Sequence, residues 1–227
     1  NNIDKMSFDD LGEESEFIPL MTSEDEEALE KEVLPDVLSI LPLTNTVLFP
    51  GVVMPINAGS DKSIKLINDS NKSSKLIGVV AQKSSKVENP SIENMHGVGT
   101  VAKILRVLKM PDGNTTVIIQ GKKRFKIKSV VKTDPYIQAT IESVNDKNQK
   151  KSNSKFSATI DAIKDVALKI IKENPNIPSE ASFAIKNIHS SAFLINFVCS
   201  NMNITVKDKQ NLLSSISIED RALKCLK

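Results

Sequence analysis

The chain reads as an α+β protein, with a small antiparallel β-barrel followed by an α-helical bundle. Three observations lead there. Between residues 37 and 144, β-branched and large apolar residues come in short runs broken by Pro, Gly, Asn and Asp, the pattern of strands separated by tight turns. From Ser154 onward, Phe156, Ile160, Ile163, Ala167 and Ile170 recur at the spacing of one helix face. Hydrophobic residues make up 40% of the 227 but aromatics only 4%, with no Trp, so the core uniting these elements is aliphatic.

Residues 1–34 form an acidic tail, expected to be mostly disordered because its scattered apolar residues keep no sustained period. Within it, Ser23 and Glu26 have the spacing of a capping box for a short helix ending before Pro35. The barrel is assigned to residues 35–147. Its densest apolar stretch is 37–56, where 37–41 and 47–49 read as two short strands around Thr44, Asn45 and Thr46. Pro50-Gly51 then suits a type II turn, because Pro presets φ and Gly accepts a positive φ. Ser60 caps a helix carrying Ile64 and Ile67 on one face, expected to plug one end of the barrel.

Residues 76–81 are a continuous apolar strand, and 84–96, polar with Pro90, a loop. Residues 98–108 pair with 115–119 across a turn at 110–114, and 125–131 with 136–144 near Asp134-Pro135. Phe125, Ile127, Tyr136 and Ile141 are the buried positions expected on that second pair. About six strands result, enough to close a barrel and remove its edges. The helical part is assigned to residues 148–227. After a polar, basic linker, one helix runs from Ser154 to near Pro175, and four more open at Pro178-Ser179, Ser190 or Ser191, Thr205 and Ile218. The last is still apolar at Leu223 and Leu226 as the sequence stops, which predicts that the natural protein continues.

Several stretches in this order carry a resemblance. Leu41-Pro42-Leu43, Val47-Leu48-Phe49-Pro50-Gly51 and Met54-Pro55-Ile56 resemble the opening of the N-terminal domain of ATP-dependent Lon proteases. Residues 76–83, 97–102, 108–113 and 121–125 follow in the family's order. The chain departs at Thr44-Asn45, where the family usually carries a charged residue, so any contact made by that charge is not carried over. The resemblance implies a PUA-like barrel and a module that recognises unfolded or damaged protein and helps assemble a cytoplasmic homohexamer. It also implies an ATPase module using ATP and Mg, and a Ser-Lys peptidase dyad, beyond residue 227. Within these residues it implies no catalysis, cofactor or metal.

The residues agree with that division. No G-x-x-x-x-G-K-[ST] occurs, so there is no phosphate cradle of that kind. His96 and His189 are the only histidines; His189 beside Ser190 cannot form a nucleophile–base pair on a helix, where adjacent side chains diverge, and Glu93 to His96 lacks the His-x-x-x-His spacing of a zinc site. Cys199 and Cys225 have no CxxC spacing and read as reduced thiols of a cytosolic chain. No run approaches the roughly 20 apolar residues that span a bilayer.

Charge is divided unequally. Residues 1–36 hold 13 Asp and Glu against Lys5 and Lys31, a net of −11, and the remainder carries +13. An alternative reading, a PUA-like module binding DNA or RNA, rests on the +13 of the body and on the likeness of the implied barrel to RNA-binding PUA folds; the sharpest basic cluster is Lys122, Lys123 and Arg124, a candidate patch for phosphates or acidic peptide. By period two the same stretch is the solvated face of a strand whose Phe125 and Ile127 point inward. Against nucleic acid stand a single Tyr and no aromatic residues among the basic ones. For unfolded polypeptide, the candidate apolar contacts are Leu48, Phe49 and Met54 beside the Pro50-Gly51 turn, and Phe193 and Phe197 in the helices; core is the alternative and is favoured for most of those beside the turn, with Leu48 or Phe49 left as the surface candidate because turn residues are usually exposed. Phe183 poses the same choice as Phe193 and Phe197, and for all three the core is the expected place.

Overall fold

Strand β1 (Val37–Leu43) runs parallel to β3 (Leu76–Ala81), with Ile40 opposite Gly78 and Leu43 opposite Ala81. All other pairings among the described strands are antiparallel: β3 with β4 (Val98–Lys109), β4 with β5 (Thr115–Lys132), and β6 (Gln138–Val144) with both β5 and β1. That double pairing of β6 closes the ring. β2 (Val53–Ala58) lies outside it, on the first part of β5. The computed structural model describes residues 32–110, 114–146, 154–173 and 180–226. The capping box at Ser23, most of the acidic tail, the turn residues 111–113, the linker at 147–153 and Pro178-Ser179 lie outside them.

β5 is one strand of 18 residues where the sequence suggested two. Gly121, which reads as a break, instead marks where β5 passes from β2, opposite residues 115–120, to β6, opposite residues 124–132. Its N–H donates to the Val52 carbonyl and its carbonyl accepts from the Gly51 N–H, both at 2.9 Å. A Cβ at Gly121 would overlap the Phe49 carbonyl oxygen, so only glycine lets the neighbouring turn come this close.

That turn has the expected geometry: Gly51 has φ of 82° and the Val52 N–H donates to the Phe49 carbonyl at 3.2 Å. Residues 47–49 are a correction. They form an irregular segment pressed onto the sheet, where the Thr100 hydroxyl donates to the Leu48 carbonyl at 2.6 Å, and Leu48 and Phe49 are fully buried. The apolar run is as dense as a strand's because the segment is covered on all sides.

The core has two parts. Leu38, Ile40, Val80, Val101, Phe125 and Ala139, one face of the closed strands, gather with Met95 around the Phe125 ring. Gly78 and Gly99 leave room for that ring, since a Cβ at either would lie within 3 Å of it. The larger part joins Leu41, Leu43, Val79, Ile104 and Ile119 on the strands to the helices. Ile127, Tyr136 and Ile141 are half-buried rather than core.

Helix α1 (Asp61–Asn71) starts where the Ser60 hydroxyl accepts the Ser63 N–H at 3.2 Å, and packs Leu66 and Ile67 against β1, β3 and β4. The remaining helices are α2 (Ser154–Glu173), α3 (Glu180–Asn187), α4 (Ser191–Asn201), α5 (Val206–Leu213) and α6 (Ile218–Cys225). Ser190, Thr205 and Ser217 cap α4, α5 and α6, each accepting the N–H three residues on at 2.9, 3.1 and 3.2 Å. Ile160, Ile163, Phe193, Leu194, Leu212 and Ala222 then share one apolar cluster with Leu48 and Phe49, so helices and barrel are docked through a common core.

Candidate functional site

The basic cluster is taken apart by the fold. Arg124 points away from Phe125, yet the α5–α6 connection lies over it and only 2% of it is exposed. Its guanidinium donates to the Leu213 and Ser215 carbonyls at 2.8 and 2.7 Å and to Asp146 Oδ1 at 2.6 Å. Arg221 on α6, fully buried, donates to the Leu212 carbonyl at 3.1 Å, to Asn196 Oδ1 at 2.8 Å and to the same Asp146 oxygen at 3.3 Å. Asn196 in turn donates to the Pro50 carbonyl at 3.2 Å. Two cations therefore share one carboxylate at the junction of barrel and helices. Burial, and secondarily the charge of Arg221, push the Arg124 guanidinium down to about 10 against the opposing pull of Asp146.

Lys122 and Lys123 are half-buried and turned to the start of the described chain: Lys122 Nζ lies 3.9 Å from a Glu32 carboxylate oxygen, and Lys123 Nζ donates to the Glu32 carbonyl at 2.8 Å. A cleft of about 340 Å³ opens there, lined by Glu32, Leu34, Asp36, Lys123, Ile141 and Ser143 among others. The three residues do not form one exposed cationic patch.

The apolar candidates are also redistributed. Leu48, Phe49 and Phe193 are core, whereas Met54 and Phe197 are half-buried. Phe193 and Phe197 face each other at 6.0 Å between ring centroids, inclined by 48°, which spends part of the Phe197 surface on its own helix. Phe183, expected in the core, is 69% exposed on α3. Val166 and Ile170 on α2 are 49% and 54% exposed. Lys164 Nζ on α2 donates to the Ile188 carbonyl just past α3 at 3.1 Å, and the two helices are in contact. Nothing local marks these residues, since Ile170 continues the same period as the buried Ile160 and Ile163. Among the described residues there is no cluster of three or more His, Cys, Asp or Glu able to hold a metal, and no helix long and apolar enough to cross a membrane.

Residues 37–227 match the family model described as the ATP-dependent protease La (LON) substrate-binding domain. The chain belongs to that family. Over 225 residues it is 58% identical to the Lon protease of Flavobacterium johnsoniae, covering 99% of this chain and 28% of that protein. It is 48% identical to the Lon protease of Cytophaga hutchinsonii, covering 91% and 26%. The chain thus spans little more than a quarter of the length of these curated relatives. Its fold is that of the N-terminal domain of Mycobacterium avium complex Lon protease, with a TM-score of 0.66 at 20% identity over 84% of this chain and 96% of that one. A Lon N-terminal domain protein from Xanthomonas campestris matches with a TM-score of 0.60 at 14% identity, over the same shares. This Lon substrate-binding domain thus combines the closed barrel with the helical cap described above.

Proposed function

We propose that this Lon domain recruits unfolded or damaged polypeptide through the exposed side of α2 and α3, with Val166, Ile170 and Phe183 as the contacting side chains. The observation that carries the reading is the exposure of Phe183, a large aromatic outside the core on a helix whose neighbours Ala184 and Ile185 are buried. A recruiter must accept many sequences, and shallow aliphatic and aromatic surface does so better than a pocket lined by fixed polar groups. In the whole protein, ATP with Mg powers unfolding and a serine peptidase cleaves the chain in other modules. Assembly as a cytoplasmic hexamer presents several such surfaces at once, so that modest single affinities add up. The names of the family and of its relatives support this division of labour. Against the alternative of a nucleic-acid binder, Arg124 is buried and bonded to the Leu213 and Ser215 carbonyls, so it is not available to a phosphate.

Titrating the domain with a permanently unfolded model protein and with single-stranded RNA, at low and high salt, tests the proposal. Binding of the unfolded protein is expected to persist or strengthen with salt and to fall at least several-fold in Phe183→Ser, with Ile170→Ser additive. RNA binding that collapses with salt, together with no effect of Phe183→Ser on unfolded protein, would overturn it.

A further inference from the structure

The chain has two cysteines, 26 residues apart in sequence, and the fold brings them to one place. Cys199 lies in the last turns of α4 and is fully buried; Cys225 is the last residue of α6 and is half-buried. Both belong to the apolar contact where α4 meets α6. Two rungs fix their register. Arg221 Nη1 holds Asn196 Oδ1 at 2.8 Å, and one turn further along α6, but nearly two along α4, Cys225 Sγ lies 3.7 Å from the sulfur of Met202, the C-cap of α4. Cys199, three residues past Asn196, and Cys225, four past Arg221, each lie about one turn beyond the first rung on their own helix, with Cys199 between Asn196 and Met202 along the side of α4 that α6 meets.

We propose that Cys199 and Cys225 are a redox modification site, in which a hydroperoxide converts the two thiols into a disulfide that ties α4 to α6. The thiols have unequal roles. The neighbouring Cys199 thiol holds the Cys225 thiol below its ordinary range, while Cys225 and burial together push Cys199 up. Cys225, half-buried and more acidic, is the attacking thiolate, and Cys199 is the resolving thiol. In the first step the Cys225 sulfur attacks one peroxide oxygen, the O–O bond breaks, and the other oxygen leaves as an alcohol or water after taking up a proton. Cys225 is then a sulfenic acid. In the second step the Cys199 sulfur attacks it, the S–O bond breaks, and hydroxide leaves as water with the Cys199 proton. Two thiols are oxidised by two electrons and one peroxide is reduced to an alcohol, or water, and one water. Crosslinking closes a 26-residue loop between helices that are already in contact, so it stabilises the helical half.

The test uses the whole chain, fully reduced, with stoichiometric hydrogen peroxide. Intact-mass and peptide mapping is expected to find one intramolecular Cys199–Cys225 disulfide, and a dione trap for sulfenic acid is expected to stay unreacted. The oxidised chain should unfold several degrees higher, and reductant should reverse the shift. In Cys199→Ala, and in Cys199→Ser as a second variant in case one fails to fold, the trap should now label Cys225. Four outcomes would overturn the assignment. These are a trap adduct persisting on Cys225 of the unaltered chain, disulfides joining two chains, oxidant consumed at Met202 with both thiols intact, or a disulfide that lowers the unfolding midpoint.

Discussion

Arg124 on β5 and Arg221 on α6 converge on a single oxygen of Asp146, at 2.6 and 3.3 Å. The two arginines come from opposite sides of the junction, so the carboxylate holds barrel and helices together by balancing half of the positive charge buried between them.

The imbalance ranks the substitutions. Asp146→Ala leaves two buried cations with no carboxylate and is expected to cost about 3 kcal/mol, the low end for breaking a buried pair because water still reaches Asp146. Arg124→Met keeps the volume and leaves Arg221 and Asp146 as a balanced pair, so its cost is that of two orphaned carbonyls, about 1–2 kcal/mol. Urea unfolding of both variants checks the order, and a larger loss in Arg124→Met would show that the pair, not the excess charge, dominates.

Gly121→Ala drives a methyl into the Phe49 carbonyl, which belongs to a turn held by Pro50 and cannot retreat freely. The expected cost is about 2–3 kcal/mol, as for overpacking of a core. Gly59→Ala, with nothing within 4 Å of its would-be Cβ, should change the midpoint by no more than about 0.5 kcal/mol. Equal effects of the two would refute the close approach as the reason for glycine.

Tyr136 is the only tyrosine in a chain without tryptophan, so its ionisation can be read directly from phenolate absorbance. Burial, then the negative charge of Asp69 and the 3.2 Å hydrogen bond to it, hold the phenol above its ordinary range. The folded chain thus keeps a proton that the unfolded chain releases near the ordinary phenol value. This contribution favours folding below that value and is lost as pH rises through the folded one. Asp69→Asn should move the titration toward the ordinary range, and an unmoved titration would contradict the contact.

Phe49→Ala and Phe183→Ser separate core from surface. The first empties a buried ring site and is expected to cost about 3–5 kcal/mol. The second removes a mostly exposed ring and should leave stability within about 0.5 kcal/mol. Thermal or urea midpoints decide, and a large loss in Phe183→Ser would return that ring to the core.

What the sequence by itself determined is what depends on neighbours along the chain. The strand at 76–81 reads with its true bounds because it is a short, continuous apolar run. Ser60, Ser190 and Thr205 announce their helices because a cap is a bond spanning three residues. Pro50-Gly51 announces its turn because φ is a property of those two residues. The tertiary structure decided the rest, and in each case the deciding contact comes from far away. Leu48 and Phe49 look like an exposed turn flank until the helices cover them. Arg124 reads like its two lysine neighbours until carbonyls 89 and 91 residues later close over it. Phe183 and Phe193 sit on comparable apolar helix faces, yet one is in water and the other in the core. Period shows that a helix has an apolar side; it does not say how far along that side a partner reaches.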